Sequence, residues 1–209
     1  MLHPQTGGAL MGEAPNRNQP AYWDARFAED GFAYGTDAND FLVSVADRLP
    51  MGDALCLCEG EGRNATFLAQ RGFRVMAVDF SAVALRKAEA LAAERGVVIE
   101  TQCADLTGFD PGVAKWDVVT VIFGQPESRV RRALYAHIAT CLRSGGAFVL
   151  ETKAEEGGTA ESRYPGSALL CAELTGLEFE IARDGLRVLK EGRYHDGEQR
   201  TEQILAFKR

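Results

Sequence analysis

Four acidic residues fall where apolar runs break into turns: Glu59 and Glu61 after 54–58, Asp79 after 74–78, and Asp105 after 97–103. Carboxylates at such places accept hydrogen bonds from hydroxyl and amino groups of a polar ligand. The runs at 54–58 and 74–78 are small and apolar enough to be buried strands, and 97–103 is a third run. Between the first two lies Glu59-Gly60-Glu61-Gly62-Arg63-Asn64-Ala65. Gly60 and Gly62 permit a tight turn and leave no side chain between backbone and ligand. Asn64 is placed to cap a helix over 65–71, whose free N–H groups and dipole face the loop. The pattern Gly60-x-Gly62-x-x-Ala65 fits the dinucleotide fingerprint, and Asp79, ending the next strand, stands where a carboxylate receives ribose hydroxyls. These residues describe a nucleotide-type crevice at the carboxyl edge of an open α/β sheet.

The rest of the chain supplies the scaffold. Strands are expected at 54–58, 74–78, 97–103, 116–123 and 147–152, the last entered through Gly145-Gly146. Two more strands are read at 177–181 and 201–207, joined through 187–191 and a turn-rich 192–197. Helical spacing of Phe41, Leu42, Val45, Ala46 and Leu49 predicts a helix over 37–49. Ser81 caps a crossover helix over 82–95 that stops at Gly96, and further helices run from Ser128 to near Leu142 and over 169–174. Asp117, at the start of its strand, faces away from the binding edge and is read as structural. Residues 153–167 form a loop at the same edge as the crevice, a flap with Arg163 and Tyr164 as its notable side chains. Residues 1–20 are read as a flexible tail and 21–209 as one domain, opened by a lid segment over 21–50.

The series Glu59-Gly-Glu-Gly-Arg-Asn-Ala65, Val78-Asp-Phe-Ser81, Ala104-Asp-Leu106, Trp116-Asp-Val-Val119 and Leu142-Arg-Ser-Gly-Gly-Ala-Phe-Val149 resembles the motif ladder of class I S-adenosylmethionine-dependent methyltransferases. More narrowly it is similar to the tellurite-resistance and thiopurine methyltransferase group, over most of 22–208. The resemblance implies a Rossmann-like fold with a seven-stranded, mostly parallel sheet, an antiparallel last strand and helices on both faces. It implies S-adenosylmethionine as cofactor. Gly60 and Gly62 would border its amino acid part, with Glu59 and Asn64 beside them. Asp79 would hold the ribose, Asp105 would receive the adenine amino group, and Phe80, Ala104 and Leu106 would flank the ring. Trp23, Phe27 and Tyr34 would cover the methyl-donor side with Phe123 beneath, and Arg26 would be available to the cofactor carboxylate.

Departures from the family pattern keep other readings open. Cys56 stands where the family carries an acidic residue and Cys58 where it carries a glycine. Gly124-Gln125 replaces a Cys-His-Leu-Pro segment whose histidine would be a base. Gln125, Tyr34 and His195 are the remaining candidates for a catalytic role, with a solvated hairpin as the plain alternative for His195. The expected reaction is methyl transfer to a small-molecule acceptor, a thiol or a chalcogen anion among them, which needs alignment and water exclusion more than a base. The alternative is a non-catalytic protein that binds S-adenosylmethionine on a degenerate fold. A nicotinamide-dependent dehydrogenase would share the glycine turn and Asp79 but leaves Asp105 unexplained.

Composition narrows the partners. Lys plus Arg is 23 against 30 Asp plus Glu, a net charge of −7 that opposes a phosphate-tracking surface, so nucleic acid is not an expected substrate. No apolar stretch reaches the length of a membrane helix and no signal pattern opens the chain, so a cytoplasmic monomer or homodimer is expected. The five cysteines sit inside apolar patterns without metal-ligand partners and are read as small buried residues, with no metal site. Cys56 and Cys58 are expected on one face of their strand.

Overall fold

The structure, a computed structural model, describes residues 16–209, with backbone alone at positions 191 and 196. Of the expected tail, 1–15 lies outside the described residues. Strand β1 (Asp53–Leu57) is an interior strand, third in order, of a seven-stranded sheet, and Ala54 to Leu57 are buried on both faces, which is why they read as an unbroken apolar run. On one side β1 pairs in parallel with β2 (Arg74–Asp79), and β2 with β3 (Glu100–Cys103). On the other it pairs in parallel with β4 (Trp116–Ile122), which pairs in parallel with β5 (Leu142–Lys153). The sheet is completed by β6 (Leu177–Glu191) and β7 (His195–Lys208), with β7 antiparallel to both β5 and β6. The order β3-β2-β1-β4-β5-β7-β6 reverses direction between β1 and β4, so that a crevice opens over the carboxyl ends of those two strands.

Helices α1 (Pro20–Phe27) and α2 (Asp40–Val45) precede the sheet; α3 (Arg63–Gln70), α4 (Ala82–Glu94), α5 (Ser128–Cys141) and α6 (Ser167–Glu173) follow in chain order. Phe41, Leu42, Leu68, Leu85 and Ala88, from α2, α3 and α4, share one apolar core with Cys56 and Val118. Leu134, Tyr135, Ile138 and Leu170, from α5 and α6, share the other with Leu55, Val119 and Phe148. The strands therefore carry helices on both faces. No helix among the described residues is long and apolar enough to cross a membrane.

Several boundaries differ from the sequence reading, and β3, expected from 97, begins at Glu100 and is largely exposed. The helix expected over 37–49 begins at Asp40, where Asn39 Oδ1 accepts from Leu42 N at 3.0 Å, and tightens into a 3-10 turn at Ala46–Arg48. Val43, Ser44, Val45 and Asp47 are weak helix formers. Strand β5 starts at Leu142, not after the glycine pair, because Gly145 and Gly146 lie in an irregularity between the pairings Trp116 with Leu142 and Val118 with Ala147. The two short final strands are one long hairpin, paired from Leu177 with Lys208 to Glu191 with His195. Its outer half is polar and reads as turn, but its tip docks on the N-terminal segment: Arg193 N donates to Ala33 O at 2.9 Å. Finally, Pro20 opens α1 and residues just before it form a turn rather than tail.

Candidate active site

Beyond β1 the backbone leaves the strand abruptly. Cys58 takes φ 54° and Gly60 φ 65°, both in the left-handed region, and Gly62 with φ 87° is the residue from which α3 starts. Asn64 is therefore inside the helix and does not cap it. The cap is Glu59, whose Oε1 accepts from Asn64 N at 3.0 Å and Ala65 N at 2.8 Å, placing a carboxylate against the positive end of α3. Burial outweighs those bonds and pushes the Glu59 carboxyl up to about 7. Asn64 instead accepts from Asn39 N at 2.9 Å and ties α3 to the start of α2.

Asp79 ends β2 beside this turn. Its Oδ2 accepts from Gly60 N and its Oδ1 from Ser81 N, each at 2.9 Å, so two backbone donors fix the carboxylate while its remaining lone pairs face the crevice. Burial pushes its carboxyl up to about 6. Asp105, after β3, is exposed and holds its own turn through Thr107 N and Oγ1, both at 2.8 Å.

The N-terminal segment lines the crevice with Trp23, Arg26, Phe27 and Tyr34. Trp23 stacks on Phe27 with ring centroids 5.7 Å apart, and Phe27 meets Tyr34 edge-on at 6.3 Å. Arg26 donates to Tyr34 Oη at 3.1 Å and Tyr22 Oη at 2.8 Å, and its guanidinium lies 4.0 Å from the Tyr194 ring centre. Two carboxylates tie this segment down: Glu61 accepts from Ala33 N at 2.7 Å and pairs with Lys87 at 3.0 Å, and Asp24 accepts from Ser81 Oγ at 2.5 Å. The flap over 153–167 is held from below by buried Arg131, which donates to Ser162 O and Ala160 O, both at 2.7 Å, and forks onto Glu173 at 2.8 and 2.9 Å. Arg163 then joins flap, sheet edge and N-terminal turn by donating to Gln125 O and Asn18 Oδ1.

The partly open cavity is about 400 Å³, within the range of small-molecule sites. It brings together Trp23, Tyr34, Glu59, Gly60, Asn64, Asp79, Phe80, Asp105, Leu106 and Phe123, and with them Gln125 and His195. Gly62 and Ala104 are not on its wall. A Cβ on Gly62 would sit 2.5 Å from Ala88 Cβ, so this glycine serves the packing of α3 on α4; Ala104 belongs to the apolar core under the sheet. His195 is not a solvated hairpin residue: it is buried, with its ring centre 4.6 Å from Tyr34 and 4.3 Å from Phe123. Tyr34 is raised above the usual phenol range by burial, which disfavours a phenolate. The Gln125 amide Nε2 is buried without a hydrogen-bond partner among the described residues. Of the flap side chains singled out in the sequence, Arg163 reaches the cavity and Tyr164 does not. Sequence reasoning missed Arg17 and Asn18, assigned to the tail, as well as Lys153 and Tyr194; a lysine ending an apolar strand at the carboxyl edge was the available signal for Lys153.

The cysteine departures also take a different form. Cys58, with its left-handed backbone, is beyond the strand, so it does not continue the alternation from Cys56. A Cβ on Gly124 would lie 2.5 Å from Cys58 Cβ and 3.0 Å from its Sγ. Cys58 and Gly124 are thus one exchange of volume across the β1 and β4 loops. Burial raises both thiols, which disfavours their thiolate forms.

A family model described as a methyltransferase domain matches residues 54–146. No sequence among the curated proteins matches the chain. Among solved structures, one from work on the conversion of a disulfide bond into a thioacetal group during echinomycin biosynthesis is similar, with TM-score 0.73 and 15% identity over 89% of this chain and 90% of that one. An S-adenosylmethionine-dependent methyltransferase from Methanosarcina mazei has TM-score 0.64 and 16% identity over 82% of this chain and 98% of that one. TehB from Haemophilus influenzae has TM-score 0.69 and 13% identity, covering 91% of this chain and 67% of that one. Residues 54–146 thus match a methyltransferase domain, and the sheet around them has the Rossmann-like fold of S-adenosylmethionine-dependent methyltransferases.

Proposed function

We propose that the protein transfers the methyl group of S-adenosylmethionine directly to a small-molecule acceptor held between lid and flap, with thiols and chalcogen anions as the first acceptors to examine. The carrying observation is the Asp79 carboxylate, fixed by Gly60 N and Ser81 N on the wall of a partly open cavity where the strand order reverses. The residues fit the cofactor. Asp79 offers acceptors for ribose hydroxyls, Asp105 for the adenine amino group, Phe80 and Leu106 for the ring, and Gly60 an open backbone. When bound, S-adenosylmethionine supplies a methyl group on a positively charged sulfur leaving group.

The chain's own task is alignment and exclusion of water. Trp23, Phe27 and Tyr34 supply an apolar cover, while Phe123 and His195 close the floor beneath β4 and the hairpin. Among the three candidates, Gln125 suits orientation of an acceptor through its unpartnered amide, and Tyr34 and His195 suit shaping of the wall. Soft anionic nucleophiles need no base, which accords with a site built this way. The narrower likeness to the tellurite-resistance and thiopurine group is supported by the motif ladder and accords with the fold similarity to TehB. The binding-only alternative loses support where Cys58 and Gly124 interlock, since that departure preserves packing.

The test is methyl transfer from labelled S-adenosylmethionine to a panel of thiols and chalcogen anions. Acceptor-dependent formation of S-adenosylhomocysteine is the expected result. Cofactor binding without turnover on any panel member, or on amines and hydroxyl compounds in a second panel, would favour the binding-only reading.

A further inference from the structure

The cavity changes charge along the sheet edge. Its carboxylates Glu59, Glu61, Asp79 and Asp105 follow β1, β2 and β3; its cations are Arg17 and Arg26 from the N-terminal segment, Lys153 at the end of β5 and Arg163 in the flap, with Arg17 and Arg26 close enough to Lys153 for their charges to act on it. Arg63 at the start of α3 and the exposed Glu127 before α5 are the exceptions. The acidic half suits the hydroxyl and amino donors of the cofactor. The basic half needs another explanation. Among the described residues, no carboxylate stands within ion-pair distance of Arg17, Arg26, Lys153 or Arg163. Arg26 is occupied by tyrosine hydroxyls, with the Glu29 carboxylate near enough to feel its charge without pairing to it, and Arg163 by the neutral acceptors Gln125 O and Asn18 Oδ1. Lys153 is half-buried, and desolvation with the charges of Arg17 and Arg26 holds its ammonium below the usual range. Gathering like charges in a partly closed space costs free energy that a ligand of opposite charge recovers. The buried Gln125 Nε2, a donor without a partner, lines the same half.

We propose that the methyl acceptor carries an anionic oxygen group, a carboxylate or a phosphate, received by Lys153, Arg17 and Arg163 with the Gln125 amide beside them. This rests on the methyl-transfer reading and names the acceptor class for it. Lys153 ends β5, on the far side of β4 from Asp79, so the anionic group anchors the acceptor at the end of the cavity opposite the ribose. Arg26, closer to the lid aromatics, is left to the cofactor's own carboxylate.

The experiment is calorimetric titration of the full-length protein, first with S-adenosylhomocysteine and then, at saturation, with benzoate, phenyl phosphate and neutral benzamide. Benzoate or phenyl phosphate should bind on the order of tenfold tighter than benzamide, and the tighter of the two identifies the anionic group. Lys153→Met and Arg163→Gln should each weaken that anion by about tenfold, Lys153→Arg should restore it, and S-adenosylhomocysteine affinity should stay within about threefold throughout. Equal binding of benzamide and the anions would overturn the proposal. So would loss of S-adenosylhomocysteine affinity matching the loss of anion affinity, because the cations would then serve the cofactor. Failure of the wild-type S-adenosylhomocysteine titration strikes the methyl-transfer reading and this proposal with it; an intact one without anion preference strikes this proposal alone.

Discussion

Replacing Asp79 with alanine should separate cofactor binding from folding in a measurable way. In the structure its two oxygens each accept one backbone N–H, from Gly60 and Ser81, and their free lone pairs face the cavity. A hydrogen bond to a charged acceptor contributes about 1.5–3 kcal/mol net. Losing two such bonds to a ribose would remove about 3 kcal/mol or more, roughly a 150-fold drop in affinity. The same change leaves Gly60 N and Ser81 N without their acceptor, at a cost of about 1–3 kcal/mol in stability. Calorimetric titration with S-adenosylhomocysteine at pH 8, alongside thermal melts, reads both effects. Asp79→Asn, which keeps shape and one acceptor oxygen, should fall between wild type and alanine. Wild-type affinity should also decline as pH drops through about 6, where the buried carboxyl takes up a proton, and the alanine variant should lack that decline. A folded Asp79→Ala protein that binds within threefold of wild type, with an unchanged pH profile, would refute the ribose assignment.

The raised carboxyls set the pH dependence of the protein without cofactor. Asp79 is raised to about 6 and Glu59 to about 7, above their unfolded values, so the native state holds more protons than the unfolded chain from about pH 4 to 7. These two groups make stability fall as pH rises through that window, by roughly 6 kcal/mol at most; urea melts at pH 5 and 7.5 measure it, Glu59→Gln should about halve it, and a rise would contradict it. Arg131→Met removes one partner of a buried pair with Glu173 and the donors to Ala160 O and Ser162 O. It should cost about 3–5 kcal/mol and speed amide exchange at 158–165 before the rest of the chain; unchanged exchange there would show that the flap is held by other contacts.

Local patterns reported what neighbours in sequence decide. Runs buried on both faces, such as Ala54 to Leu57, were visible as strands, and Ser81 was visible as a cap because its partner Ala84 N lies three residues on. The acidic residues after β1, β2 and β3 were legible because strand ends in a parallel sheet share one edge. What sequence could not display depended on distant partners. Glu59 caps α3 from outside it because Gly62, in a left-handed conformation, offers no side chain of its own. His195 looks like a polar hairpin residue until Tyr34 and Phe123 pack on it. The outer hairpin is a strand because its tip meets Ala33 and Tyr34, and Arg131 meets Glu173 only through the fold. The basic end of the cavity draws on Arg17, Lys153 and Arg163, three segments with no common motif.

The central claim is that this cavity holds S-adenosylmethionine. Calorimetric titration of the wild-type protein with S-adenosylmethionine and S-adenosylhomocysteine tests it most directly. Saturable binding of both near one molecule per chain, with micromolar affinity, is the predicted result. Absence of heat and of thermal stabilisation with either ligand, in protein shown to be folded, would contradict it.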